Sequence, residues 1–146
     1  MGEVGSDEGN GVVCGRAGVK KRWSVALPVD LPSLNAFMRW HFRKRSQWCN
    51  QIEQYIFCMG SPLVHFTNPV SVNIVREFGY RKRDYDTDNL YASVKPVLDA
   101  LKTPRGRMRR GLSVIVEDNP KWCQLTVTQR KSKDKKTRIL VEVVDL

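Results

Sequence analysis

The chain predicts an α+β domain in the order β-α-β-α-β-β, with about four strands in a mixed sheet and helices packed on one face. Three observations lead there. Residues 70–78 set Val70, Val72 and Ile74 against Ser71 and Asn73, the period-2 alternation of a half-buried strand. Residues 34–59 place Phe37, Trp40, Trp48, Ile52, Tyr55 and Ile56 at mostly helical steps. Two segments rich in β-branched residues, 122–130 and 137–146, flank the charged stretch KSKDKK and read as a closing hairpin.

Taken in order, residues 1–20 are rich in glycine and small residues and show no periodicity, so they are expected to be a disordered tail ahead of a single domain at 21–146. Residues 23–27 form a first strand, stopped by Pro28 and Pro32. Ser33 or Asn35 then caps the first helical layer, either one long helix or a broken pair, and residues 60–69 end it. After the strand at 70–78 a second helix begins near Asp86. It gathers Leu90, Val94, Val97, Leu98 and Leu101 on one side and Asp88, Ala92, Lys95 and Asp99 roughly opposite. Pro96 removes a helical hydrogen bond and clashes with the preceding turn, which predicts a kink or break near Lys95. If the helix restarts there, Pro96 takes the favoured first position and Asp99 the first turn. Residues 103–113, with four arginines and two glycines, read as a basic arm or loop. Val114 to Val116 is apolar, and Glu117, Asp118, Asn119 and Pro120 make a turn.

With 146 residues, 41% of them hydrophobic, the chain is long enough for one compact domain. The formal net charge is +10 and the pI about 9.8. Residues 1–19 hold Glu3, Asp7, Glu8 and Arg16, so the remainder is more basic than the whole. That balance favours polyanions, nucleic acid first, without choosing among DNA, RNA and an anionic membrane. No apolar run approaches a bilayer span and the start does not look like a signal peptide, so cytoplasmic residence is expected. Cys14, Cys49, Cys58 and Cys123 form no C-x-x-C pair, which argues for buried reduced thiols rather than zinc. His41 and His65 have no evident serine or cysteine partner for a triad.

The chemistry concentrates in residues 81–101, RKRDYDTDNLYASVKPVLDAL. Asp84, Asp86 and Asp88 alternate, so in an extended segment their carboxylates would point the same way. One of Asp86, Thr87 and Asp88 would serve simply as a helix cap, and Arg81, Lys82 and Arg83 allow a purely structural ion-pair network. Carboxylates lined up along an apolar helix equally suit a hard divalent cation. Arg39, His41, Arg43, Lys44 and Arg45 form a second basic group around Trp40 and Phe42, either a solvated face or a phosphate contact, with the aromatics expected in the core.

The run D-x-D-N-L (Asp86, Asp88, Asn89, Leu90), then K-x-x-x-D-A-L (Lys95, Asp99, Ala100, Leu101), then the acid pair Glu117 and Asp118 resembles the RusA family of Holliday junction resolvases. The likeness includes the opening WSVALPVDLPSLNAF and spans about residues 22 to 146. It implies a Mg²⁺-dependent endonuclease, with Mn²⁺ as a substitute, that works as a homodimer and resolves four-way DNA junctions by symmetric nicks. Asp86, Asp88 and Asp118 match the family's metal-binding aspartates and Lys95 its catalytic lysine. Lys95 lies three residues later than in the family pattern, on the same face but roughly 4.5 Å further along the axis. Glu117 stands where the family often has a second Asp. For a junction enzyme, Arg39, Arg43, Lys44, Arg45, Arg81, Lys82, Arg83, Arg105, Arg107, Arg109 and Arg110 become the expected phosphate contacts. The alternatives are a non-catalytic nucleic-acid-binding protein with a degenerate site, and a metal-dependent nuclease acting on other branched DNA.

Overall fold

The structure, a computed structural model, describes residues 20–59, 62–79, 81–104 and 111–146, together with the backbone of 11–13. In chain order the elements are β1 (Gly11–Val13), β2 (Arg22–Leu27), α1 (Leu34–Arg39), α2 (Phe42–Met59), β3 (Val70–Phe78), α3 (Thr87–Ser93), α4 (Lys95–Leu101), β4 (Cys123–Lys131) and β5 (Arg138–Asp145). The strands form one mixed sheet in the order β1-β2-β5-β3-β4. The β3–β4 pair is parallel and the others are antiparallel. The fold is therefore the expected α+β arrangement of four main strands, with a three-residue strand added at the β2 edge.

Alternation explains the layering. Trp23, Val25 and Leu27 of β2, Val70, Val72 and Ile74 of β3, and Ile139, Val141 and Val143 of β5 all bury the same sheet face. Ile52 and Ile56 of α2 and Val97, Leu98 and Leu101 of α4 join them in one core, so the helices cover that face alone. Of the two alternatives for residues 34–59, the broken pair of helices is present. The Ser33 side chain accepts from Ala36 N at 3.1 Å to start α1, and Trp40 leaves the helix in an extended conformation. The break ahead of Pro96 is also present: Val94 is the last cap of α3 and the first of α4, whose opening turn holds the proline.

Four expectations are corrected. The last two strands are not a hairpin, because β3 lies between β4 and β5. Nine alternating residues of β3 bury best when paired on both edges, so the 132–137 connection passes over the end of β3 instead of turning back on its neighbour. Ser132 N donates to Phe78 O at 2.9 Å and Gly79 N to Thr137 Oγ1 at 2.9 Å. The crossing requires a glycine, since a Cβ on Gly79 would stand 2.4 Å from the Lys135 carbonyl oxygen. Phe42, expected in the core, is 60% exposed at the first position of α2. Of the cysteines expected to be buried, Cys123 is buried but Cys58 is exposed near the end of α2. Within the stretch expected to be a tail, Gly11–Val13 pairs with the free edge of β2. Among the described residues, no helix is long and apolar enough to cross a membrane.

Candidate active site

The helix break positions the first group of functional side chains. Restarting at Val94 points Lys95 and Asp99 of α4 toward the turn that precedes β4, and the Lys102↔Ile115 bridge holds that turn against the end of the helix. Lys95 Nζ donates to Asp118 Oδ2 at 2.7 Å and lies 3.1 Å from Asp99 Oδ1. Lys102 Nζ completes the group, 3.4 Å from Asp99, 3.5 Å from Glu117 and 3.7 Å from Asp118. Three carboxylates thus share two ammonium groups across an opening to solvent. Lys95 is 56% exposed, whereas Lys102 is 14% exposed. Beside them opens a groove of about 470 Å³, whose walls include Phe37, Met38, Tyr91 and Pro96.

Electrostatics follow from this packing. Burial alone would lower the Lys95 pKa, but the hydrogen bond to Asp118 and the adjacent Asp99 and Asp118 charges outweigh it and the net shift is upward. For Asp118 burial pushes upward, while hydrogen bonds from Lys95 and within the Glu117 turn prevail and hold the carboxyl below the usual range. Nearby, Cys123 is pushed up to about 11 by burial and by the Asp118 charge, which leaves its thiol protonated and inert.

The acidic turn before α3 has a different neighbourhood. Asp86 is the N-cap: its carboxylate accepts from Asn89 N at 2.8 Å and from Asn89 Nδ2 at 3.2 Å. Asp88 is exposed in the first turn. The run from Asp88 to Lys95 follows α3, roughly 10 Å at helical rise, and Asp86 and Asp88 lie at the opposite end of that helix from the Lys95–Asp118 contact.

A buried brace fixes the backbone just ahead of this turn. Arg76, in β3, is 1% exposed. Its guanidinium donates to both oxygens of Asp30 (2.7 and 3.1 Å), to the Arg83 carbonyl (3.0 Å) and to Gln129 Oε1 (3.2 Å). The Tyr85 ring lies 3.7 Å away from it, centroid to Cζ. Gln129 bonds both backbone groups of Tyr85, and the Tyr85 hydroxyl donates to the Leu31 carbonyl at 2.6 Å. Burial, reinforced by the Asp30 charge, raises the Tyr85 pKa, so that hydroxyl stays a donor. A buried charge is tolerated only when paired and fully hydrogen-bonded, and this arginine meets that condition.

Sequence reasoning missed Arg76, Asp30, Gln129 and Lys102. Arg76 did leave a signal, because it falls in the inward phase of the 70–78 alternation, where an apolar residue belongs. The remaining expected contacts lie elsewhere. Arg39, Arg43 and Lys44 are exposed and Arg45 partly so, around the α1–α2 break, with Lys44 Nζ 4.3 Å from the Trp40 ring centroid. Arg81, Lys82 and Arg83 are exposed next to the brace, and Lys82 Nζ is 3.7 Å from Asp30. Arg105, Arg107, Arg109 and Arg110 lie outside the described residues.

The site's donors suit a hard divalent cation: all are carboxylate oxygens, and Asp99 Oδ1 is buried with ammonium groups nearby but no aligned hydrogen bond. Among the described residues no three His, Cys, Asp or Glu side chains converge closely enough to hold a metal as they stand. No protein-family model matches the chain, and no curated protein matches it.

Proposed function

We propose that the protein is a Mg²⁺-dependent endonuclease of the RusA type, acting on four-way DNA junctions as a two-fold symmetric homodimer. The observation that carries this reading is the 2.7 Å contact between Lys95 and Asp118. These residues are 23 apart in sequence, the resemblance assigns both to one catalytic centre, and the extra turn before Lys95 does not separate them. Asp86 and Asp88 enter through the resemblance; Asp118 and Lys95 enter through resemblance and geometry together.

By the resemblance, Asp86, Asp88 and Asp118 would hold one or two cations, with Mn²⁺ able to replace Mg²⁺, although Asp86 and Asp88 stand across α3 from Asp118. A cation held there would supply polarisation of a phosphodiester and a lowered pKa for a bound water, whose deprotonated form is the nucleophile. Lys95, with its exposed ammonium, would neutralise charge developing on the phosphate. Lys102, behind it, would orient Asp99, Glu117 and Asp118. The Arg76 brace would hold the turn carrying Asp86 and Asp88. A junction has two-fold symmetry, so paired nicks call for two such sites related by a dyad.

The test is cleavage of a labelled four-way junction and a matched linear duplex, with and without Mg²⁺, by the native chain, Asp88→Asn and Asp118→Asn. Folding of each is checked by circular dichroism. The expected result is symmetric, metal-dependent nicking of the junction that either variant reduces at least 10²-fold. Tight junction binding without cleavage in Mg²⁺ or Mn²⁺ would replace this reading with that of a non-catalytic nucleic-acid-binding protein. Equal cleavage of other branched substrates would keep the chemistry and change the substrate.

A further inference from the structure

We propose that the loop joining β4 to β5 and the basic triplet Arg81, Lys82 and Arg83 form one phosphate-binding surface, along which a nucleic-acid backbone approaches the acidic turn. This deepens the nucleic-acid reading above but does not depend on catalysis.

The two segments are fifty residues apart in sequence and meet at Gly79. The loop lies on that glycine, with the Lys135 carbonyl where a side chain would be. On the other side Lys82 N donates to Gly79 O at 3.2 Å, so the triplet leaves from the same point. From there the chain runs through the Arg76 brace at Arg83 and Tyr85 directly to Asp86. The basic surface is therefore continuous with the acidic turn through rigidly held backbone.

Two acids at this end of the sheet, Glu77 and Asp134, are engaged in building it, and Asp84 is exposed beside the triplet. Glu77 pairs with Arg130 at 2.7 Å and with Arg138 at 3.4 Å. Asp134 organises the loop from within, accepting from Ser132 Oγ, from Lys136 N at 3.1 Å and from Arg138. Those bonds also hold its carboxyl well below the usual range, so it stays ionised in this role. Lys131, Lys133 and Lys136 are exposed on this loop. A shallow cleft of about 440 Å³ lies between Glu77, Lys131, Lys133 and Arg138.

Lys135 has φ 63°, a left-handed conformation in which glycine or asparagine is favoured and a lysine costs roughly 1 kcal/mol. A string of ammonium groups on a fixed loop matches successive phosphates. It does not match a lipid surface as well, because KSKDKKTR contains no apolar side chain to enter an acyl boundary.

The test uses the full chain and the double variant Lys133→Ser/Lys136→Ser. Neither side chain holds the loop, whose internal bonds come from Asp134 and from the Lys136 backbone. Binding of a fluorescent four-way junction and a duplex is measured by anisotropy across a KCl series. Loss of two phosphate contacts is expected to reduce the slope of log Kobs against log[salt] by about 1.8. Lys133→Arg/Lys136→Arg should retain the native slope, as should Lys20→Ser at the opposite end of the sheet. A double-variant slope within about 0.5 of the native value overturns the proposal and leaves the nucleic-acid reading standing. Absence of native binding to either DNA overturns both, and binding instead to phosphatidylserine vesicles would assign the surface to a membrane.

Discussion

Two groups of paired charges, built from the same side-chain chemistry, behave in opposite ways in this molecule. In the Arg76–Asp30 brace a guanidinium is closed off from solvent and its donors reach a carboxylate, a carbonyl and a side-chain amide. In the Lys95–Asp118 group two ammoniums are shared among three carboxylates, and Lys95 is more than half exposed. The brace has one arrangement, because any other would leave a buried charge alone. The open group meets solvent at Lys95, where water can replace a partner, while its carboxylates stay largely buried. Rigid pairing suits holding a backbone in place, and exchangeable pairing suits admitting a cation or a phosphate.

The largest expected effect breaks the brace. Arg76→Met leaves Asp30 without its bidentate partner and is expected to lower stability by about 3–5 kcal/mol, measured by urea unfolding. Adding Asp30→Leu should recover part of that loss, because the penalty comes from the orphaned charge. A loss below about 1 kcal/mol would mean that the brace is no different from a surface pair.

A smaller effect carries a pH signature. The Asp118 carboxyl is held below its ordinary value of 3.8, so its ionised form stabilises the fold above that pH, and the contribution disappears as the pH falls below it. In metal-free solution the stability difference between the native chain and Asp118→Asn should therefore be constant near neutrality and vanish on the acid side. A difference independent of pH would show that the Asp118 ion pairs contribute nothing.

The smallest effect concerns Lys95. An exposed ion pair is worth about 0–1 kcal/mol, so Lys95→Met should change stability by no more than that while removing most of the junction cleavage proposed here. A stability loss approaching that of Arg76→Met would place Lys95 with the brace and against a catalytic role.

Much of the framework was legible because it rests on local rules. The alternation at 70–78 has the bounds of β3, Pro96 marks the restart at α4, and Asp86 is the cap that its position before a helical run suggests. The candidate site was legible in part. Lys95 and Asp99 fell on one face of the helical run and Asp118 entered through the resemblance, but their meeting, and the inclusion of Lys102, depend on how a turn packs against a helix end. The closing hairpin was misread for a similar reason. Two adjacent β-branched segments favour pairing locally, yet β3 gains more by accepting both as neighbours.

By itself the sequence determined the element types, the basic balance and the acidic run, since periodicity, caps and charge are properties of short stretches. Tertiary structure alone decided that an arginine could be buried in β3, that two basic segments fifty residues apart meet at Gly79, and that Lys95 rests on Asp118. Each of these is a long-range contact, and its energy comes from partners that no local window contains.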